Sequence, residues 1–239
     1  MICIPIMARN NAEALRKMDM AAPFADVIEV RLDVMQEFDV AEIVQAAPRP
    51  IIVTYRSRKE GGSGSADSET QSGYLLEAIE AGADFVDVEY GLPPELRQRI
   101  FQGRSGSALI ISAHLLDGTP ARQRLEEVLR KMADTGADVV KIITLAMTPE
   151  DNLRVLGLIP LAKELGVKII AFCMGPLGRI SRISTLLTGG YLTFASLEEG
   201  QESASGQMPV GEMKDMLERL SIGIKTRGKN ERDQTTILH

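Results

Sequence analysis

The chain has 239 residues, 44% hydrophobic and 25% charged, enough to bury a core in one domain or two without metal or disulfide staples. Its 27 basic and 33 acidic side chains give a formal charge of −6, and there are six Phe, four Tyr and no Trp. That balance argues against a nucleic-acid partner, which needs phosphate neutralisation and stacking platforms. Cys3 and Cys173 form neither a disulfide framework nor a paired metal motif, as suits a reducing cytosol. Arg9 and Asn10 end the apolar start too early for a signal peptide, and no run approaches the roughly 18 apolar residues of a membrane span.

Apolar runs rich in Val and Ile recur at Ile2–Met7, Val27–Leu32, Pro50–Arg56, Asp84–Tyr90, Ala108–His114, Asp138–Leu145, Val167–Met174 and Tyr191–Ser196. Several are apolar at consecutive positions, as strands are when both sheet faces are covered. Helical periodicity fills the gaps at Ala12–Met20, Gln71–Ala81, Ala121–Thr135, Asp151–Leu165 and Val210–Leu220. Thr119-Pro120 and Thr148-Pro149 predict helix caps, and two Gly-Ala-Asp junctions, at 82–84 and 136–138, predict helix ends leading into strands. Lys59–Thr70 reads as a mobile loop and Leu197–Met208 as a lid. Eight alternating units predict an α/β protein, a single (β/α)8 TIM barrel over residues 1–224 with a polar, irregular tail at 225–239. A doubly wound dinucleotide-binding sheet is disfavoured, because the turn after the first strand, Met7-Ala8-Arg9-Asn10, has no glycine.

Chemistry is expected where charge interrupts these strands near their carboxyl ends, the active face of a barrel. In the second strand Glu29, Arg31 and Asp33 share one parity, facing a ligand or forming an internal ion pair. After the third strand Arg56 is a candidate for a ligand hydroxyl or carboxylate, Glu60 can orient a base, and Arg58 and Lys59 read as solvated charge. His114 ends the fifth strand and is the one histidine besides the terminal His239, which makes it the candidate acid–base group. Lys141 interrupts the apolar sixth strand. A buried lysine loses its proton, becoming a nucleophile for a carbonyl, or finds an anion such as Glu29. After the seventh strand Arg179 and Arg182 compete as a carboxylate clamp, and Cys173 reads as a small core residue.

Six segments in order carry a resemblance over nearly the full length. They are Glu-Val-Arg-Leu-Asp at 29–33, Thr-Tyr-Arg-Ser-Arg-Lys-Glu-Gly-Gly at 54–62, Ser-Ala-His at 112–114, Val-Lys-Ile at 140–142, Met-Gly-Pro-Leu-Gly-Arg-Ile-Ser-Arg at 174–182 and Ser-Ala-Ser-Gly-Gln at 203–207. The chain resembles type I 3-dehydroquinate dehydratase. The resemblance implies a cytoplasmic lyase of the shikimate pathway, often dimeric in relatives, that uses neither cofactor nor metal to convert 3-dehydroquinate to 3-dehydroshikimate and water. It implies that Lys141 forms the Schiff base, that His114 moves the protons and that Glu60 orients His114. It further implies that Arg182 clamps the substrate carboxylate, that Glu29, Arg31 and Arg56 bind its polar groups, and that Ser203 and Gln207 belong to the lid. Nearby arginines are expected to favour the neutral amine of Lys141.

The chain departs from the family pattern at a few places. Ser205 stands where relatives often have proline, which predicts a less rigid lid, and Phe172 where some have methionine. Many relatives carry an N-terminal hairpin that closes the barrel floor; here that cover is expected to be missing or replaced by the tail, and no fusion to a shikimate dehydrogenase is expected. The alternative enzyme is a Schiff-base aldolase or transaldolase. Such barrels commonly hold phosphate, which Glu198, Glu199 and Glu202 after the eighth strand would repel. A non-catalytic barrel would lack one of Lys141, His114 and Arg182.

Overall fold

Each Val- and Ile-rich run becomes a parallel strand because the layer of helices covers one of its faces and the barrel interior the other. The computed structural model describes the backbone of residues 1–233 and the side chains as far as Ser221. In chain order come β1 (Ile2–Ile6), α1 (Asn11–Ala21), β2 (Val27–Arg31), α2 (Val40–Gln45), β3 (Ile51–Thr54) and α3 (Ser68–Glu80). These are followed by β4 (Phe85–Glu89), α4 (Pro94–Gly103), β5 (Ala108–Leu115), α5 (Arg122–Ala133), β6 (Val139–Leu145), α6 (Glu150–Leu156) and α7 (Leu158–Glu164). The chain continues with β7 (Lys168–Met174), α8 (Arg179–Leu187), β8 (Thr193–Phe194) and α9 (Val210–Asp233). Every strand pairs in parallel with its sequence neighbour from β1 to β7, and β8 pairs with β1. The Tyr191 amide donates to the Ile169 carbonyl of β7 at 2.7 Å and closes the (β/α)8 barrel.

The Gly-Ala-Asp junctions have a physical cause. Gly82 and Gly136 take positive φ of 91° and 82°, ending their helices in the left-handed region. The aspartate that follows then caps a neighbouring strand. Asp84 Oδ2 accepts from the Ile51 amide and Asp138 Oδ2 from the Leu109 amide, both at 2.9 Å. Asp26 does the same for Ile2 at 2.7 Å. The starts of β1, β3 and β5 thus each have an amide satisfied by an aspartate side chain.

One parity of each strand packs under the helices; Ile28, Val30, Val86, Val88, Ile111, Val140 and Ile142 are examples. The other parity lines the interior, whose lower half is apolar, with Cys3, Val27, Ile52, Ile110, Val139 and Ile170. At the floor Phe85 packs against Tyr191 (ring centroids 6.4 Å apart), with Lys168 Nζ 4.6 Å from the Tyr191 ring centre. Higher up the same parity carries Glu29, Arg56, Asp87, Glu89 and Lys141, none more than 5% exposed.

Several local expectations change. Neither Thr119 nor Thr148 caps a helix. The Thr119 hydroxyl turns inward to the Leu145 carbonyl at 2.9 Å, while Asp151 accepts from the Met147 and Thr148 amides and so caps α6 from within its first turn. The predicted helix Asp151–Leu165 is two helices meeting at Gly157. Helices α2, α4 and α8 complete the helices expected between the strands. The loop expected at Lys59–Thr70 folds into a turn ending at the Asp67 cap of α3. Its Gly62 and Gly64 amides donate to Ser57 and Arg56 carbonyls, and a Cβ at Gly62 would lie 2.2 Å from the Arg56 oxygen. The tail expected to be irregular from residue 225 is helical as far as Asp233; residues 234–239 lie outside the described ones. No helix among the described residues is long and apolar enough to cross a membrane.

Candidate active site

The charged upper layer opens into a pocket at the carboxyl ends of the strands, lined by Glu29, Arg31, Arg56, Glu60, His114, Lys141, Phe172, Arg182, Phe194, Ser203 and Gln207 among others. All nine residues expected from the sequence to act on a substrate therefore face one cavity. β2 supplies Glu29 and Arg31, β5 His114 and β6 Lys141. Arg56 and Glu60 follow β3, Arg182 lies in the second turn of α8, and Ser203 and Gln207 come from the loop after β8.

Lys141 is held by anions. Its Nζ is 2.9 Å from Asp87 Oδ2 and 3.5 Å from Glu29 Oε1, and it lies 4.6 Å from the centre of the Phe194 ring. Glu29 is fixed in turn by the Thr54 hydroxyl at 2.9 Å. The expectation that arginines crowd this amine gives way, because its nearest charged neighbours are carboxylates.

Asp87 and Glu89 join the site beyond the residues expected from the sequence. Both lie on β4, on the parity that faces inward, and both hold Arg56. The Arg56 guanidinium is 2.6 Å from Asp87, 3.1 Å from Glu89 and 3.2 Å from Glu60, and donates to Ser112 at 2.9 Å. Burial alone would lower its pKa, but Asp87, Glu60 and Glu89 outweigh burial and raise it. Burial likewise pushes the Asp87 carboxyl up, yet Arg56 and Lys141 prevail and hold it well below the ordinary carboxylate range. Paired this closely, Arg56 frames the pocket more than it reaches into it. The signal that finds Asp87 and Glu89 is the one that found Glu29, charge at alternate positions of a strand whose other parity is Val.

Glu60 Oε2 lies 2.8 Å from Nδ1 of His114, with side-chain exposures of 13% and 12%. Burial pushes the Glu60 carboxyl up to about 8, against the pull of Arg56 and with support from Glu89 and Asp87. Burial, reinforced by Arg56 and Lys141, holds the His114 imidazole well below its ordinary value. The imidazole is thus neutral at rest, with Nδ1 engaged by Glu60.

Arg31 is aimed by Asp33 in a two-pronged contact at 2.7 and 2.8 Å. Arg182 differs from every other cation of the site. It is 1% exposed, has no carboxylate partner, and leaves its Nε without a hydrogen bond. Its guanidinium lies 4.5 Å from the Phe172 ring centre, and Nη2 donates to the Ser205 carbonyl at 3.0 Å. Burial without a counter-charge pushes it down to about 10, so it stays charged at neutral pH. Arg179, its rival in the sequence, is exposed on the outer side of the lid and does not line this pocket. Cys173 is buried and free, within the apolar layer.

The segment after β8, expected to act as a lid, is stapled to itself and to the barrel. The Ser203 amide and hydroxyl engage the Gln207 side chain at 2.8 and 2.9 Å. The Ser205 carbonyl, besides taking Arg182, accepts from the Gly175 amide at 3.2 Å. Gly206 adopts φ 83° there, and a Cβ would lie 2.4 Å from the Gly175 oxygen. These backbone contacts anchor the segment even with serine at 205.

Residues 2–224 match the family model described as Type I 3-dehydroquinase. A 3-dehydroquinate dehydratase of Syntrophobacter fumaroxidans is 35% identical over 232 residues, covering 93% of this chain and 97% of that protein. The solved 3-dehydroquinate dehydratase of Geobacillus kaustophilus superposes with a TM-score of 0.83 at 28% identity, over 92% of this chain and 91% of that one. The type I 3-dehydroquinate dehydratase of Clostridium difficile, solved with covalently modified comenic acid, gives a TM-score of 0.81 at 25% identity over 93% and 92% of the two chains. With a charged barrel mouth, a strand lysine and a paired histidine all accounted for, the chain belongs to the type I 3-dehydroquinase family.

Proposed function

We propose that Lys141 is the lysine through which this barrel works, with His114 as its proton carrier and Arg182 as the clamp on the substrate carboxylate. As a family member the protein is a hydro-lyase: it converts 3-dehydroquinate to 3-dehydroshikimate and water through a lysine Schiff base. The observation that carries the residue assignment is one cavity containing a strand lysine, a histidine paired with a glutamate and a buried guanidinium without a carboxylate. Lys141 Nζ attacks the substrate ketone, and the resulting iminium draws electrons from the adjacent carbon. His114 takes the proton that this carbon releases and returns it to the departing hydroxyl, so one group serves both transfers. Glu60 keeps the imidazole turned towards the substrate. Arg31, Arg56 and Glu29 contact its hydroxyl groups, and Ser203 and Gln207 cover it.

Borohydride reduction with 3-dehydroquinate, followed by peptide mass analysis, tests the assignment. The expected adduct is on Lys141; no adduct, together with full activity in Lys141→Ala, overturns it. His114→Ala should still form the imine but lose about 10²- to 10⁴-fold in turnover.

We propose further that the protein is a cytoplasmic homodimer. The dimer is supported by an apolar patch where α6 meets the start of α8, with Met147 64%, Leu153 71%, Leu177 46% and Ile180 63% exposed. So many large side chains on adjoining elements exceed the scattered exposure usual for a monomer. Light scattering should give a dimer, and Leu153→Glu with Ile180→Glu a monomer.

A further inference from the structure

The reaction requires a positive nitrogen in a place from which water is excluded, and an isolated buried charge is costly. The overall step is balanced as ammonium plus ketone giving protonated iminium plus water. A C–N bond forms, the carbonyl oxygen leaves with two protons from the lysine nitrogen, and the nitrogen keeps one proton and one positive charge. The charge at Nζ is therefore the same before and after imine formation. A fixed anion beside it fits both states without taking or giving a proton.

We propose that Asp87 is this fixed anion, the counter-ion that keeps the Lys141 imine protonated. The proposal rests on Lys141 being the imine-forming lysine. Three features favour Asp87. It is fully buried, with one carboxylate oxygen 2.9 Å from Nζ. Its other oxygen is anchored by Arg56 at 2.6 Å and by the Ser112 hydroxyl at 2.5 Å, so the carboxylate has little freedom to move when the imine forms. The groups around it also favour its ionised form. Lys141 on β6, Arg56 after β3 and His114 on β5 contribute positive charge in their protonated states. Glu29 on β2 and Glu89 on its own strand are the carboxylates that face it, while burial favours the neutral forms of Glu60 after β3 and Cys3 on β1. When the substrate proton moves to His114, the positive charge moves from nitrogen to imidazole, still within the field of Asp87. Glu29 is the rival. It is farther from Nζ, at 3.5 Å, and faces the pocket where substrate binds.

The test is the titration of the imine, which a merely structural aspartate would not move. With 3-dehydroshikimate bound, the absorbance of the conjugated imine is followed against pH, beside an imine of butylamine with the same ketone in water. The enzyme imine is expected to deprotonate about one to three pH units above the butylamine imine. Asp87→Asn should lower it by at least about one unit, a tenfold change, and by more than Glu29→Gln does. An enzyme imine titrating no higher than the butylamine imine overturns the proposal, and that comparison uses the unmodified protein, so it stands even where Asp87→Asn does not fold. A larger shift from Glu29→Gln also overturns it. No borohydride adduct on Lys141 in the unmodified protein overturns the residue assignment instead; an adduct with an unshifted titration in Asp87→Asn overturns the counter-ion alone.

Discussion

The two sides of the pocket solve the problem of buried charge in opposite ways. On the side built by β2 to β5, every cation is matched: Arg56 by Asp87, Glu89 and Glu60, and Arg31 by Asp33. On the side built by β7, α8 and β8 the walls are Phe172, Met174 and Phe194, and the one cation, Arg182, meets an aromatic face and a lid carbonyl. Neutralised charge holds a shape. An unmatched charge waits for a ligand, because its desolvation is offset only when an anion arrives. On the proposed assignment, the contrast turns the substrate carboxylate towards α8 and its hydroxyl groups towards β2 and β3.

The sharpest way to break this contrast is to neutralise one arginine from each side. Arg56→Met leaves the buried Asp87 and Glu89 carboxylates facing one another beside Glu60. It should cost about 3–5 kcal/mol of stability, the usual penalty for removing one partner of a buried ion pair. Denaturant unfolding measures it; a loss below about 1 kcal/mol would show that water already screens the network.

A smaller effect on the same side concerns Glu60. Its carboxyl titrates at about 8 when folded, against 4.5 ordinarily. The folded state therefore holds a proton that the unfolded chain has released. That contribution is fully present below about 4.5 and is lost as pH rises towards about 8. Glu60→Gln mimics the protonated form and lacks this titration. Its melting temperature should match that of the unmodified protein near pH 4.5 and exceed it increasingly up to pH 8. A constant difference across that range would mean that Glu60 is ionised throughout.

Much of this site is legible from the sequence because charge inside a Val-Ile run has few innocent explanations. Lys141 in Val-Val-Lys-Ile-Ile and Glu29 in Val-Ile-Glu-Val-Arg stand out for that reason. Asp87 and Glu89 carry the same alternation, but Asp-Val-Glu also describes a strand with one wet face. They become interior residues only when the barrel covers both faces. Residue type alone leaves Arg179 and Arg182 equivalent; the resemblance points to Arg182, and α8 exposes the first and buries the second, three positions on. Helix α2 spans only six residues, too short for periodicity to register. The Thr119 cap failed because its hydroxyl has the Thr144 hydroxyl at 2.7 Å and the Leu145 carbonyl as partners, which no local pattern reveals.

The least disruptive change lies on the other side. Arg182→Met keeps a long side chain against Phe172 and removes a guanidinium that no carboxylate compensates. Stability should hold or rise, since a buried charge without a counter-charge is removed; the losses are the hydrogen bond to Ser205 and the cation's contact with the Phe172 ring, which the methionine sulfur replaces in part. Substrate binding should suffer instead. A charge-assisted hydrogen bond to a carboxylate contributes about 1.5–3 kcal/mol, roughly a 10- to 100-fold rise in KM. Melting temperature and KM measured on the same variant separate the two expectations. Loss of stability with unchanged KM would make Arg182 a lid strut, and the contrast between the two sides would then lie in their packing and not in their charge.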